Sequence, residues 1–412
     1  MALSREMQSA LRGVLVMILA GGQGERLYPL TKRRAKPSVR FGGAYRMIDF
    51  TLSNSVNSGL KRIYVLTQFA STSLSRHIRR GWSGLLADDL DEFIEVLPPQ
   101  RLTADRFYKG TADAIYQNLF VLQDERPERV LLLSGDHAYK LDYGDMLEHH
   151  VHTGAALTIA CLEVPRESAT QLGVAQCDEQ SRIIGFEEKP EDPKPMPANP
   201  DMALVSMGVY LWDTKALAQE VATDVTARDT KHDFGRNIIP SMVERGLPVY
   251  AYIFRDKKVD KPAYWRDIGT LESYWAANMD LVNLVPEFDL YDGAWPIYTY
   301  RPQYPPAKTV HPDLTRVEDS LLCDGCIISG ATLRRSILSP GVRVHRRANI
   351  DECVVMDDVD IGEDTKIRRT IVDEGVSVPS GYQIGYDLEA DRKRFVVTDS
   401  GLVVVALGAV FD

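Results

Sequence analysis

Gly21, Gly22 and Gly24 follow the apolar run at residues 14–19, and Arg26 stands two positions further on. A backbone without Cβ atoms turns sharply and brings its N–H groups against phosphate oxygens, while a guanidinium binds two such oxygens at once. The corner is therefore suited to gripping phosphate, with an ordinary tight turn as the plain alternative. Its spacing breaks the dinucleotide fingerprint at the third glycine, where Leu27 stands, and nothing matches the G-x-x-x-x-G-K-[ST] loop. Downstream, Arg33, Arg34, Lys36, Arg40 and Arg46 crowd around Phe41-Gly42-Gly43 in a chain of formal net charge −10. Local basicity within an acidic chain points to a small anionic ligand, or for some of these arginines to a solvated face. A nucleic-acid binder spreads its positive excess over a whole surface, so no nucleic-acid partner is expected.

The groups that would position this corner follow from the apolar pattern. Runs at 14–19, 63–67, 130–134, 156–162 and 204–212 read as strands. Ile48, Leu52 and Val56 recur at helical spacing, as do Ile115, Leu119 and Leu122. The alternation predicts an α/β fold with a Rossmann-like mixed sheet, in which ligands collect beyond the carboxyl ends of strands. Those ends carry Gly21 and Gly22, Ser134-Gly135-Asp136-His137, and Glu187-Glu188-Lys189-Pro190.

With 412 residues, 44% hydrophobic and 26% charged, the chain can bury one large core and a smaller one. No apolar stretch approaches the roughly 18 residues that span a bilayer, and residues 1–12 hold no apolar signal core, so neither membrane nor export is expected. Five cysteines, an odd number, suit reduced thiols and a cytoplasmic location. Cys323 and Cys326 have the spacing of half a zinc site, but no second pair follows. His149, His150 and His152 lack the i,i+4 spacing of a metal pair and read as an exposed polar helix face.

Past residue 285 the pattern changes. Pro286, Pro296, Pro302, Pro305, Pro306 and Pro312 punctuate a stretch without periodicity, which reads as a linker. Beyond it a six-residue period links Leu321, Ile327 and Leu333; Leu338, Val344, Ile350 and Met356; Val355, Ile361 and Ile367; and Val372, Val378 and Ile384. Neither a strand nor a helix has that period, whereas a left-handed parallel β-helix of hexapeptide repeats does. The register slips between sets, so irregular coils are expected. The expected organisation is a nucleotidyltransferase domain over 1–285, a Pro-rich linker over 286–316 and a β-helix over 317–412.

Together the motifs Leu-Ala-Gly-Gly-x-Gly-x-Arg-Leu (19–27), Arg-Ala-Lys-Pro (34–37), Phe-Gly-Gly (41–43), Gly-Thr-Ala-Asp-Ala (110–114), Ser-Gly-Asp-His (134–137), Glu-Lys-Pro (188–190), Ser-Met-Gly-Val-Tyr (206–210) and Trp-Arg-Asp-Ile-Gly-Thr (265–270) resemble the bacterial ADP-glucose pyrophosphorylases, or glucose-1-phosphate adenylyltransferases. The resemblance runs from about residue 12 to 402. It implies transfer of adenylyl from ATP to glucose 1-phosphate, releasing pyrophosphate, as the regulated step of glycogen synthesis. It implies Asp136 as the essential metal-site acid and Asp267 as the second ligand of Mg2+, with a carboxylate paired to Arg266 as the alternative for Asp267. Arg26 and Lys36 would brace the departing pyrophosphate, with a surface position for Arg26 not expected. Lys189 would bind the sugar phosphate from an extended backbone set by Pro190. Glu188 and Ser206 would meet glucose hydroxyls, and Tyr108 and Gly173 would complete the pocket or serve as core and turn residues. Gly21, Gly22 and Gly110 would bind the nucleotide, Gly110 because a side chain there would strike the adenine.

The resemblance also implies a homotetramer and small anionic metabolite effectors, with Arg33, Arg34, Arg40 and Arg46 as candidate effector contacts. Ala44 stands where the family usually has Lys, and Asp233-Phe234-Gly235-Arg236-Asn237 departs from Asp-Phe-Gly-Lys-Asp. Other readings are a nucleotidyltransferase of another base or sugar, a non-catalytic regulatory subunit, and a hexapeptide acyltransferase using His345.

Overall fold

The computed structural model describes residues 5–99, 107–256, 261–311 and 313–411. Pro312 of the Pro-rich stretch, residues 1–4 of the N-terminal segment and Asp412 of the β-helix range lie outside the described residues.

The strand Val14–Ala20 lies inside a nine-stranded mixed sheet, parallel to Arg62–Thr67 on one side and to Arg129–Ser134 on the other. Its residues alternate between two cores. Val14, Val16 and Ile18 face one, with Ile48, Leu52 and Val65; Leu15 and Met17 face the other, with Ile115, Trp212 and Phe234. Burial on both faces explains the continuous apolar run, each such side chain contributing roughly 1.5–3 kcal/mol. The antiparallel part is built on the long strand Met202–Asp213, which pairs with Arg129–Ser134, Leu157–Pro165 and Gly173–Cys177. Leu19 pairs with Ser134, so the Gly-rich corner and the Ser-Gly-Asp-His loop leave the sheet side by side.

Two local expectations need correction. Ile115, Leu119 and Leu122 belong to two short helices, Thr111–Tyr116 and Leu119–Glu125, because the Asn118 amide donates to Ala114 O (2.7 Å) and Tyr108 OH (3.2 Å) at the break. The histidines at 149–152 are not an exposed face. On the helix Tyr143–Thr153 the buried stripe is Tyr143, Met146, Leu147 and His150, and His150 Nδ1 lies 2.8 Å from Thr158 Oγ1. His149 is half-buried against the Tyr252 ring, and only His152 is exposed.

The Pro-rich stretch is a packed strap. Phe288 and Ile297 are buried, and Trp295, Tyr298 and Thr299 donate to Asn54, Ser53 and Asp49 of the helix Met47–Asn57. The strand Lys308–Val310 already pairs with Ile327–Ser329, so the β-helix begins before residue 317.

The β-helix has three parallel-stranded sheets, with a terminal antiparallel pair. Leu333, Ile350, Ile367 and Ile384 stack in one sheet, Ile328, Val344, Ile361 and Val378 in the second, and Leu338, Val355 and Val372 in the third. Stacked partners lie 17 residues apart in these coils, except in the first, where Ile328 and Val344 are 16 apart. The inward steps run six, six and five, as from Leu338 to Val344, Ile350 and Val355. That short third step, together with a second five-residue step from Ile328 to Leu333 in the first coil, is the physical origin of the slipping register, and the second of these makes Ile328 and not Ile327 the inward residue of the first set. Met356 points instead into a core shared with the first domain, among Phe41, Phe50, Ile337 and Tyr274. Among the described residues no helix is long and apolar enough to cross a membrane.

Candidate active site

Asp136 follows the strand Arg129–Ser134, and the short strand His137–Tyr139 then pairs antiparallel with Trp265–Asp267, setting Asp267 opposite His137. This pairing brings the two carboxylates together. Lys36, on the turn Lys36–Ser38, reaches between them with Nζ 2.6 Å from Asp136 Oδ2 and 3.5 Å from Asp267 Oδ1. Ser134 Oγ donates to the other Asp136 oxygen, and His137 Nε2 lies 3.6 Å from Asp136 and 3.8 Å from Asp267. Burial opposes ionisation of Asp136, but the charges of Lys36 and His137 and the hydrogen bonds from Lys36 and Ser134 outweigh it. Its carboxyl is held well below the usual carboxylate range. Arg266 pairs with Asp280 at 3.2 Å, which removes it as the partner of Asp267.

In the Gly-rich corner Gly24 adopts φ 65°, a conformation that favours glycine, while Gly22 has open space where a side chain would stand. Leu27 is fully buried, so the position that breaks the dinucleotide fingerprint belongs to the core. Arg26 is exposed, contrary to expectation, and makes no ion pair among the described residues. Its Nη2 lies 3.2 Å from where a Cβ on Gly269 would be, and Asp267 Oδ2 lies 3.4 Å from the same point. A guanidinium left open beside a carboxylate pair is available to an incoming anion.

Ser134, Asp136 and His137 border a cavity of about 490 Å³ whose wall also takes in Gly21, Gly22, Tyr108, Gly110 and Glu188, and Lys36 and Asp267 adjoin it through Asp136. Tyr108 N donates to Gln68 Oε1 at 3.0 Å, which fixes it in the wall. At Gly110 a Cβ would lie 2.3 Å from His232 O and 2.5 Å from Lys231 O, so the protein backbone by itself already demands glycine there.

The strand Ile183–Glu188 brings Glu188 to the cavity wall, with Lys189 directly after it. Lys189 is not extended. Its φ is 54°, because its N–H donates to Leu172 O at 3.0 Å and turns the chain out of the strand before Pro190. The Lys189 ammonium lies 3.7 Å from Glu188 Oε1. Burial pushes the Glu188 carboxyl above its ordinary value, Lys189 and Arg236 pull it down, and Asp233 adds to the rise. Ser206 Oγ accepts from Gly208 N at 3.2 Å and faces Tyr210 OH at 3.4 Å. Gly173 lets Glu188 approach, since a Cβ there would stand 2.9 Å from Glu188 Oε2 and 2.6 Å from the Phe186 ring.

Tyr210, Asp233, Gln68 and His137 also line this cavity and went unassigned in the sequence. Tyr210 had a usable signal, because residues 206 and 210 share a strand face at period two. Asp233 opens the segment compared with Asp-Phe-Gly-Lys-Asp, but its place in the wall depends on the long-range bond from Thr111 Oγ1 at 3.3 Å, which no local pattern encodes.

The four candidate effector arginines do not form one open patch. Arg34 is buried and paired with Asp373 (2.9 Å) and Glu374 (3.1 Å) of the β-helix, and Arg40 is buried and paired with Asp357. Arg46 donates to Ser38 O, and burial together with the charge of Arg40 lowers its guanidinium to about 10. Arg33 alone of the four is exposed and without an ion pair among the described residues. Cys323 and Cys326 are free thiols, the latter donating to Ser339 O at 3.2 Å, and His345 lies 2.7 Å from Asp360.

Residues 15–283 match the nucleotidyl transferase family model, and residues 305–405 match a GlmU-like, C-terminal hexapeptide model. The chain is 47% identical to the glucose-1-phosphate adenylyltransferase of Rhodopirellula baltica, over 97% of this chain and 91% of that protein. It is 47% identical to the enzyme of that name from Koribacter versatilis, over 95% and 94%. With that of Methylococcus capsulatus it shares 48% identity over 98% and 96%.

Proposed function

The chain belongs to the nucleotidyl transferase family, among the glucose-1-phosphate adenylyltransferases, and from that premise we propose how its residues carry out the reaction. It transfers adenylyl from ATP to α-D-glucose 1-phosphate, giving ADP-glucose and pyrophosphate. A phosphate oxygen of the sugar attacks the α-phosphorus in line with the departing pyrophosphate. No protein nucleophile is needed, so positioning and charge neutralisation do most of the work. The observation that carries the reading is the cavity itself, whose wall holds both the Asp136 carboxylate, paired with Lys36, and the Glu188 carboxylate, beside Lys189.

Gly21, Gly22 and Gly110 receive the nucleotide, and Tyr108 walls the pocket. Arg26 and Lys36 meet the triphosphate, Lys189 binds the sugar phosphate, and Glu188 and Ser206 take the glucose hydroxyls. Asp136 and Asp267 are the groups that would hold Mg2+. Among the described residues no three His, Cys, Asp or Glu side chains converge as a metal cage. Two carboxylates whose oxygens already share one cation, Lys36 Nζ, nevertheless fit an ion that takes one or two protein carboxylates and completes its shell with phosphate and water. When bound, such an ion neutralises charge developing on phosphate oxygens.

The test is the fate of label. ATP labelled at the α-phosphorus should give labelled ADP-glucose, and ATP labelled at the γ-phosphorus should give labelled pyrophosphate. Unlabelled nucleotide sugar from the first would overturn the reading. We further place the enzyme in the cytoplasm at the regulated step of glycogen synthesis, as a homotetramer that sedimentation equilibrium would register. Arg33 remains the candidate contact for a small anionic effector, since Arg34 and Arg40 are already neutralised within the chain.

A further inference from the structure

Glu188 lies between two backbones that carry no side chains. On one side is Gly173; on the other is Gly235, where a Cβ would stand 2.5 Å from Glu188 Oε2 and 3.1 Å from Glu188 Cδ. The next neighbour, Asp233 Oδ1, is 3.5 Å away, an ordinary contact. The Gly235 backbone lies outside the left-handed region, so an alanine there meets no conformational penalty of that kind. The helical turn Phe234–Ile238 is itself held firmly. Phe234 is buried, its N–H donates to Thr111 Oγ1 at 3.2 Å, and Arg236 N donates to Asp233 Oδ1 at 3.0 Å. A methyl group at 235 would therefore move the flexible end of Glu188 and leave the turn in place. At Gly173 the same addition would strike the Phe186 ring first, so the two glycines are not equivalent.

We infer that Gly235 is a positioning residue for the sugar: the space left by its missing Cβ is where the Glu188 carboxylate sits, and so where a glucose hydroxyl finds its acceptor. This rests on the reading of Glu188 as a sugar-binding group. It assigns a role in sugar recognition to a residue that belongs to neither a catalytic strand end nor a phosphate loop.

The experiment is a double-mutant cycle of Gly235→Ala, Glu188→Ala and the pair, with KM for glucose 1-phosphate and for ATP, kcat and the melting temperature measured for each. Gly235→Ala should raise KM for glucose 1-phosphate by about 10-fold or more, the scale of one lost hydrogen bond to a charged group, and leave KM for ATP within about twofold. Its melting temperature should match that of the unsubstituted chain. In the Glu188→Ala background no carboxylate remains to displace, so adding Gly235→Ala should change the sugar constant by less than about twofold.

An unchanged sugar constant in Gly235→Ala, or an equal loss in both backgrounds, would overturn the inference. Failure of Gly235→Ala to fold would overturn it too, because the methyl would then be displacing something other than the carboxylate. If Glu188→Ala alone leaves the sugar constant unchanged, the reading of Glu188 fails, and the inference falls with it by a route separate from the first two.

Discussion

Lys36 Nζ lies 2.6 Å from Asp136 Oδ2, and the same ammonium is 3.5 Å from Asp267 Oδ1. One cation thus ties a carboxylate following a central strand to one from a strand more than a hundred residues later, beneath the open guanidinium of Arg26. Each partner is needed to hold the others where a triphosphate would arrive.

Asp136→Asn keeps the size of the side chain and removes the charge that pairs with Lys36 and would hold magnesium. Turnover should fall by on the order of 10²-fold or more at saturating magnesium, while circular dichroism stays that of the unsubstituted chain. Near-normal turnover in a folded Asp136→Asn enzyme would remove Asp136 from the reaction.

Lys189→Gln removes the ammonium at the sugar end while keeping a polar side chain of similar length. The apparent constant for glucose 1-phosphate should rise by on the order of 10²-fold, the cost of an unpaired phosphate, and that for ATP should change little. Equal losses for both substrates would mean that Lys189 does not bind the sugar phosphate.

What could be read without coordinates was what neighbouring residues settle. The strand ends at Ser134 and Glu188, the Gly-rich corner and the change of period past residue 285 are local patterns, and the sheet and β-helix follow from them. The meeting of Asp267 with Asp136 follows from register with His137, which no local pattern encodes. Arg34 and Arg40 looked like a free basic patch because their neutralising partners, Asp373 and Asp357, lie more than three hundred residues away. Lys189 was expected to be extended because its proline was visible and its bond to Leu172 O was not. The β-helix slip was visible as a defect, and only the stacking gave it a cause in the five-residue third step.

His150 supplies a pH dependence. Burial, and secondarily the charge of Arg129, lowers its folded-state value from 6.5 to about 4. Between those values the unfolded chain binds the proton and the folded chain does not, so stability falls as pH drops through this window and levels off below it. The contribution is on the order of 3 kcal/mol. His150→Asn, which keeps a partner for Thr158, should show a flatter fall in denaturation midpoint between pH 6.5 and about 4. Parallel profiles for the two proteins would show that His150 is protonated in the fold.

Arg33→Ala removes the one exposed arginine of the four effector candidates. Activation by a phosphorylated sugar or similar small anion should be blunted, and turnover without activator should stay within about twofold, since Arg33 sits away from the Asp136 and Glu188 groups, beside Arg34, Asp373 and Leu407 against the β-helix. Loss of unactivated turnover with full activation retained would move Arg33 into the catalytic site.

Substrate choice tests the account most directly. Pyrophosphate release should be measured across a matrix of nucleoside triphosphates and sugar 1-phosphates, with magnesium and the full chain. ATP with α-D-glucose 1-phosphate should give kcat/KM at least about 10²-fold above every other pairing, the discrimination expected where polar groups left unpaired by the wrong partner carry the cost. Equal or faster release with another base or another sugar would contradict the assignment of this cavity to ADP-glucose synthesis.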